Sequence, residues 1–211
     1  PAPAPVLAAD LPDLGDVAAS ELSPAAERRI GEQIIREIRW RDPAYLRDLE
    51  VEDYLNHLGG RLVAVSDGAG LPFQFFGVDD SSLNAFAMPG GNIGVHTGLI
   101  LAAQSESELA GVMAHEVAHV TQRHIARLMA QQSRQTPLMI GAMILGALAA
   151  SKSPDAAQAL AIGGQALVVQ NQLNFSRDME READRVGYSL MAPAGFAPQG
   201  FVGMFDKLQQ A

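Results

Sequence analysis

Gly111-Val-Met-Ala-His-Glu-Val-Ala-His-Val120 places His115, Glu116 and His119 in the order His-Glu-x-x-His, inside a run that reads as helix. Two imidazoles four residues apart on a helix are offset by about 40° around the axis and by about one pitch along it, so both reach one ion. That geometry suits zinc. Between them, Glu116 is positioned to hold a water, take its proton and deliver it to a leaving amine. The stretch therefore points to zinc-dependent hydrolysis of peptide bonds, provided its surroundings agree. They do so in two ways. Ser105-Glu-Ser-Glu108 forms a capping box just upstream, and Leu109, Val112, Met113, Val117 and Val120 follow as an apolar stripe. On the same wheel Glu116 falls within that stripe and the histidines along its edge. A carboxylate facing a core is costly unless something compensates it, and a metal with its water would.

Composition bounds the rest. With 211 residues, 48% apolar and 18% charged, the chain is long enough for one domain with a real core. A net charge of −9 and no basic cluster exclude nucleic acid as a partner. There is no cysteine, so a metal must be held by histidine and carboxylate. The same absence fits cytosol and periplasm equally.

The first residues, Pro1-Ala-Pro-Ala-Pro-Val-Leu-Ala-Ala-Asp10, are Pro/Ala-rich, and residues 1–20 read as a flexible segment preceding a domain over 21–211. Val6-Leu-Ala8 has the small-residue spacing of a signal-peptide cleavage site. Ser23-Pro24 then supplies an N-cap and a first-turn proline for an amphipathic helix reaching about Arg39. A second helix is expected over roughly Val51 to Val65, with Gly59-Gly60 in its middle and His57 as a surface residue.

From Pro72 the period changes to that of strands, at Phe73–Asp79, Asn84–Met88 and Asn92–Thr97, the last two joined as a hairpin by Pro89-Gly-Gly-Asn92. The expected class is α+β, mostly helical, with a small antiparallel sheet beside the zinc-binding helix. An edge strand of that sheet is suited to hold an extended peptide by strand addition. His96, on the third strand, reads as structural.

Beyond the motif, Gln122-Arg-His-Ile-Ala-Arg127 reads as a continuation of the same helix. His124 would then lie about 180° from His115 and could not join the site without a break. Pro137 to Ala150 is an uncharged, glycine-dotted apolar run, too short to span a bilayer, that reads as a buried helix or as a lid or interfacial segment. Asp155 to Val169 reads as another helix. A second polar cluster, Asn174-Phe-Ser-Arg-Asp-Met-Glu-Arg-Glu-Ala-Asp-Arg-Val-Gly187, is helix-like behind Ser176. A three-ligand zinc site needs one more donor, and Asp178, Glu180, Glu182 and Asp184 are the candidates. Glu180 and Asp184 share one face, Asp178 and Glu182 another, and spacing does not choose between them.

His115-Glu-Val-Ala-His119 followed by Glu180-Arg-Glu-Ala-Asp184 resembles the paired motifs of the gluzincin family that includes HtpX and the CAAX prenyl endopeptidases. Leu83-Asn-Ala-Phe-Ala-Met-Pro-Gly-Gly91 and Thr121-Gln-Arg-His-Ile-Ala-Arg127 look like its soluble periplasmic branch, that of β-barrel assembly-enhancing proteases. The resemblance implies that His115, His119 and Glu180 bind one zinc ion, that Glu116 is the general base, and that Asp184 supports catalysis by accepting an imidazole N–H. It also implies that Asn84 and Ala85 lie on the substrate-binding strand. By the same resemblance the substrates are unfolded or misassembled proteins, in a periplasmic setting near the outer membrane and its assembly machinery. Such proteins continue into tetratricopeptide helices, so substrate recruitment is less directly implied than the chemistry. An alternative of another class is a zinc-binding chaperone or assembly factor whose peptidase site is latent and gated.

Overall fold

A computed structural model of the chain describes residues 22–68, 70–132 and 175–210. The expectations for residues 1–20, for Pro137 to Ala150 and for Asp155 to Val169 lie outside the described residues. Within them, Ser23 caps α1 (Pro24–Arg41) by accepting from the Ala26 N–H at 3.2 Å, and Asp48 caps α2 (Leu49–Ala64) through the Glu50 and Val51 N–H groups. The Gly59-Gly60 pair does not interrupt α2. A Cβ on Gly59 would lie 2.2 Å from the Phe75 ring, so glycine is what lets the helix lie on the first strand.

Three strands follow: β1 (Gln74–Val78), β2 (Ala85–Met88) and β3 (Asn92–His96). Their order is β1-β3-β2. β2 and β3 form the expected antiparallel hairpin, turning through Gly90 and Gly91 at φ 77° and 83°, which glycine adopts without strain. β1, however, pairs parallel with β3, Gln74 opposite Asn92 and Val78 opposite His96. The sheet is thus mixed rather than wholly antiparallel. The hairpin folds so that its second strand, not its first, lies against β1, and β2 itself forms part of the crossover that parallel pairing needs. The outer edge of β1 is covered by the bridge of Tyr45 to Val78 and by hydrogen bonds from Leu46 N–H to Gly77 O and from Asp79 N–H to Ala44 O. That leaves β2 as the other edge of the sheet.

The third strand ends where a short helix, α3 (Thr97–Ala102), begins. α4 (Glu106–Thr121) then runs through the centre of the molecule, buried on every side from Leu109 to Val120 rather than along one stripe only. Ser105 caps it by accepting from the Glu108 N–H, while Glu108 reaches back to the Gln104 N–H at 2.7 Å and binds Lys207 Nζ at 2.7 Å. After α5 (His124–Gln132), α6 (Arg177–Met191) and α7 (Pro198–Gln210) pack against α4. Gly111 makes room for the Phe201 backbone and Gly200 for that of Ser107, since a Cβ would lie 2.6 and 2.4 Å from them. The α+β class holds.

Candidate metal centre

Helical spacing on α4 and the approach of α6 build the centre. His115 and His119 turn their Nε2 atoms to within 3.0 Å of each other. Ser176 caps α6 by accepting from the Met179 N–H, which starts the helix so that its first turn carries Glu180 toward the imidazoles. Glu180 Oε2 lies 3.3 Å from His115 Nε2, and Oε1 lies 3.7 Å from His119 Nε2. Four residues on, Asp184 Oδ1 sits 3.0 Å from His115 Nδ1, on the opposite side of that ring. The two remaining carboxylates point elsewhere. Glu182 meets His124 and Arg127, and Asp178, on the surface, pairs with Arg181 at 3.0 Å.

His115, His119 and Glu180 have ligand atoms that all lie within 4.8 Å of one another, the one such group of three among the described residues. The donor set fits zinc. Ligands at about 2.0–2.1 Å in a tetrahedron are separated by roughly 3.3 Å; the two Nε2 atoms are 3.0 Å apart, and the Glu180 carboxylate reaches them through separate oxygens, Oε2 at 3.3 Å from His115 and Oε1 at 3.7 Å from His119. The two histidines are buried, whereas the Glu180 and Asp184 side chains are 45% and 53% exposed, so the centre opens on the α6 side.

Without a metal the same atoms compete for a proton. Burial opposes charge on His115, but hydrogen bonds to Asp184 and Glu180 and the nearby charges of Glu116 and Glu180 outweigh it and raise its pKa to about 10. Burial, then the facing charges of His115 and His124, push His119 down to about 2. Two imidazoles in contact hold one cation between them, and a divalent ion satisfies both where a proton serves one. Glu116, 7% exposed, is raised by burial to about 7, against the pull of His115 and of a hydrogen bond from the Ala87 backbone N–H.

That last bond follows from the sheet register. His96 N–H donates to Asn84 O, so Asn84, Phe86 and Met88 direct their backbone groups at β3, and Ala85 and Ala87 direct theirs away from it. Asn84 immediately precedes β2 and Ala85 opens it, beside the face of α4 that carries Glu116.

Three further features carry no signal in the spacing of the motif. The Phe175 ring stacks on His119 with centroids 4.1 Å apart, and Phe205 from α7 lies 5.3 Å from His115. Both give the two imidazoles an apolar wall. Third, the helix expected to continue past Thr121 breaks. Arg123 takes φ 53°, α5 restarts at His124, and His124 turns back under His119. The other two histidines lie apart from this centre. His57 is at the surface, and His96 is buried with Nδ1 2.7 Å from Ser82 Oγ.

Among the described residues no helix is long and apolar enough to cross a membrane. The β-barrel assembly-enhancing protease of Escherichia coli (strain K12) is 40% identical over 198 residues, 94% of this chain and 40% of its own. A counterpart in Vibrio cholerae serotype O1 is 43% identical over 206 residues, 96% of this chain and 42% of its own. The mitochondrial metalloendopeptidase OMA1 of Schizosaccharomyces pombe is 32% identical over 158 residues, 75% of this chain and 44% of its own. The chain thus spans about two fifths of the length of the bacterial relatives. Residues 50–210, from the second helix through the His-Glu-x-x-His motif to the end of α7, match the model of Peptidase family M48, and the chain belongs to that family.

Proposed function

We propose that this chain is a zinc-dependent endopeptidase domain, with His115, His119 and Glu180 as the metal ligands and Glu116 as the general base. The observation that carries this reading is the convergence of the three donors on one point, with a buried carboxylate on the helix that bears the two histidines. A zinc ion held there supplies Lewis-acid polarisation of a scissile carbonyl and acidification of water. Glu116 takes the proton of the attacking water and returns it to the leaving amine. In the metal-free centre burial raises the pKa of this carboxyl to about 7. The Ala87 N–H holds the Glu116 carboxylate in place while it does so. Asp184 accepts the Nδ1–H of His115, which leaves Nε2 as a lone pair for the metal.

An extended substrate lies along β2, where the outward-turned N–H and C=O of Ala85 offer a backbone ladder and Asn84 borders it. The physiological substrates are unfolded or misassembled outer-membrane proteins in the bacterial periplasm. Support for that comes from relatives named β-barrel assembly-enhancing proteases. The test is cleavage of casein by the wild type and by Glu116→Gln, with zinc measured on the same samples. About one zinc in both, with cleavage by the wild type alone, is the expected result. Zinc in both without cleavage by either favours the latent assembly factor, and zinc in neither removes the proposal.

A further inference from the structure

His124 is outside the ligand triad, yet it is fully buried and turned toward it. Its Nδ1 lies 2.9 Å from the Nδ1 of His119. On the far side of its ring, Nε2 lies 3.1 Å from Glu182 Oε2, which also accepts from Arg127 Nη1 at 2.7 Å. The break at Arg123 makes this possible. The guanidinium of Arg123 donates to the Leu22 carbonyl, at the foot of α1, and lies 3.8 Å from Glu27 Oε2, which anchors the residue at which the helix axis changes. Arg127, three residues past His124 on α5, then faces the same carboxylate.

The hydrogens in this row are fixed from its outer end. An ionised carboxylate only accepts, so the contact of Glu182 with His124 requires the hydrogen on His124 Nε2. The 2.9 Å contact between the two Nδ1 atoms admits one hydrogen. With His124 neutral, its Nδ1 is a lone pair, and the hydrogen belongs to His119 Nδ1. His119 is thereby left with a bare Nε2, the atom that faces His115 and Glu180. We propose that His124 is a positioning residue that presets His119 in its metal-binding tautomer and orientation, through a row running from Arg127 and Glu182 to His124 and His119. The inference rests on His119 being a zinc ligand, as proposed above. It gives the two histidine ligands different supports, a carboxylate directly on His115 and, on His119, an imidazole whose carboxylate stands one ring further out.

The test combines chelator competition for zinc with imidazole nitrogen NMR of the zinc-loaded wild type. Nitrogen shifts are expected to show His124 protonated at Nε2 and bare at Nδ1; the opposite tautomer overturns the proposal without any variant being needed. His124→Leu fills much of the same space without an acceptor, and His124→Asn puts an amide oxygen near the position of Nδ1. Zinc affinity should fall about 10–100-fold in His124→Leu and recover most of that loss in His124→Asn. A residue that only fills a cavity would give the reverse order, since the apolar substitute suits a buried site better. Wild-type affinity in His124→Leu, or no recovery in His124→Asn, overturns the proposal while leaving the ligand set intact. A wild type that binds no zinc removes the ligand set itself, and this inference with it.

Discussion

Gly187 seats α6 directly on the backbone of His115: a Cβ built on it would lie 2.9 Å from the His115 nitrogen and 3.0 Å from the Ala114 carbonyl atoms. Backbone cannot yield as a side-chain tip can, so Gly187→Ala must push the helices apart. The expected cost is about 1–3 kcal/mol of stability. Because the same helix carries Glu180 and Asp184 to His115, zinc affinity should fall in parallel. Thermal unfolding of the metal-free protein and chelator competition measure the two effects separately.

Glu116→Gln keeps the shape of the side chain but removes the acceptor for the water proton. Turnover on casein should fall by about 10²–10⁴-fold, with zinc content unchanged. A variant that lost its metal along with its activity would move Glu116 out of the general-base role.

Glu180→Ala and Asp184→Asn should separate a ligand from its support. Glu180→Ala removes a donor that lies 3.3 Å from His115 Nε2, and zinc should be largely lost on dialysis. Asp184→Asn leaves all three donors and should weaken affinity by about 10–100-fold, since the amide still reaches His115 Nδ1 but without charge. Equal zinc content in the wild type and Glu180→Ala would take Glu180 off the ligand list.

The metal-free centre gives a pH dependence with a definite sign. His115 has its pKa raised from 6.5 to about 10, so the stability that it contributes is fully present below about 6.5 and lost as pH rises through about 10. At pH 8 the ring therefore carries its proton, and zinc must displace it. Titration calorimetry in buffers of different ionisation enthalpy should report release of about one proton per zinc at that pH. Apparent affinity should rise with pH up to about 10. Binding with no proton release would contradict this.

Ala85→Pro tests the proposed substrate strand. The Ala85 N–H points away from β3, and proline is tolerated on an edge strand where no ladder bond is lost. The variant should fold and bind zinc as the wild type does, yet cleave casein poorly. Unimpaired cleavage would place the substrate elsewhere.

What could be read from the sequence was local. The spacing that puts His115 and His119 on neighbouring turns, the Ser23 and Ser105 caps and the β2–β3 hairpin each depend on residues a few positions apart, and each is present in the structure. The α+β class follows from the change of period near Pro72. Relations between distant residues were decided only by the tertiary structure. Spacing left four carboxylates on two faces of α6, and the packing of Gly187 against α4 brings Glu180 and Asp184, not Asp178, to the imidazoles. β1 joins β3 in parallel because a crossover, which no local pattern encodes, carries the hairpin around. His124 belongs beneath His119 because Arg123, anchored to the Leu22 carbonyl, turns the helix there. Helical periodicity fixes which residues share a face, but what meets that face depends on long-range packing that brings together residues far apart in the chain.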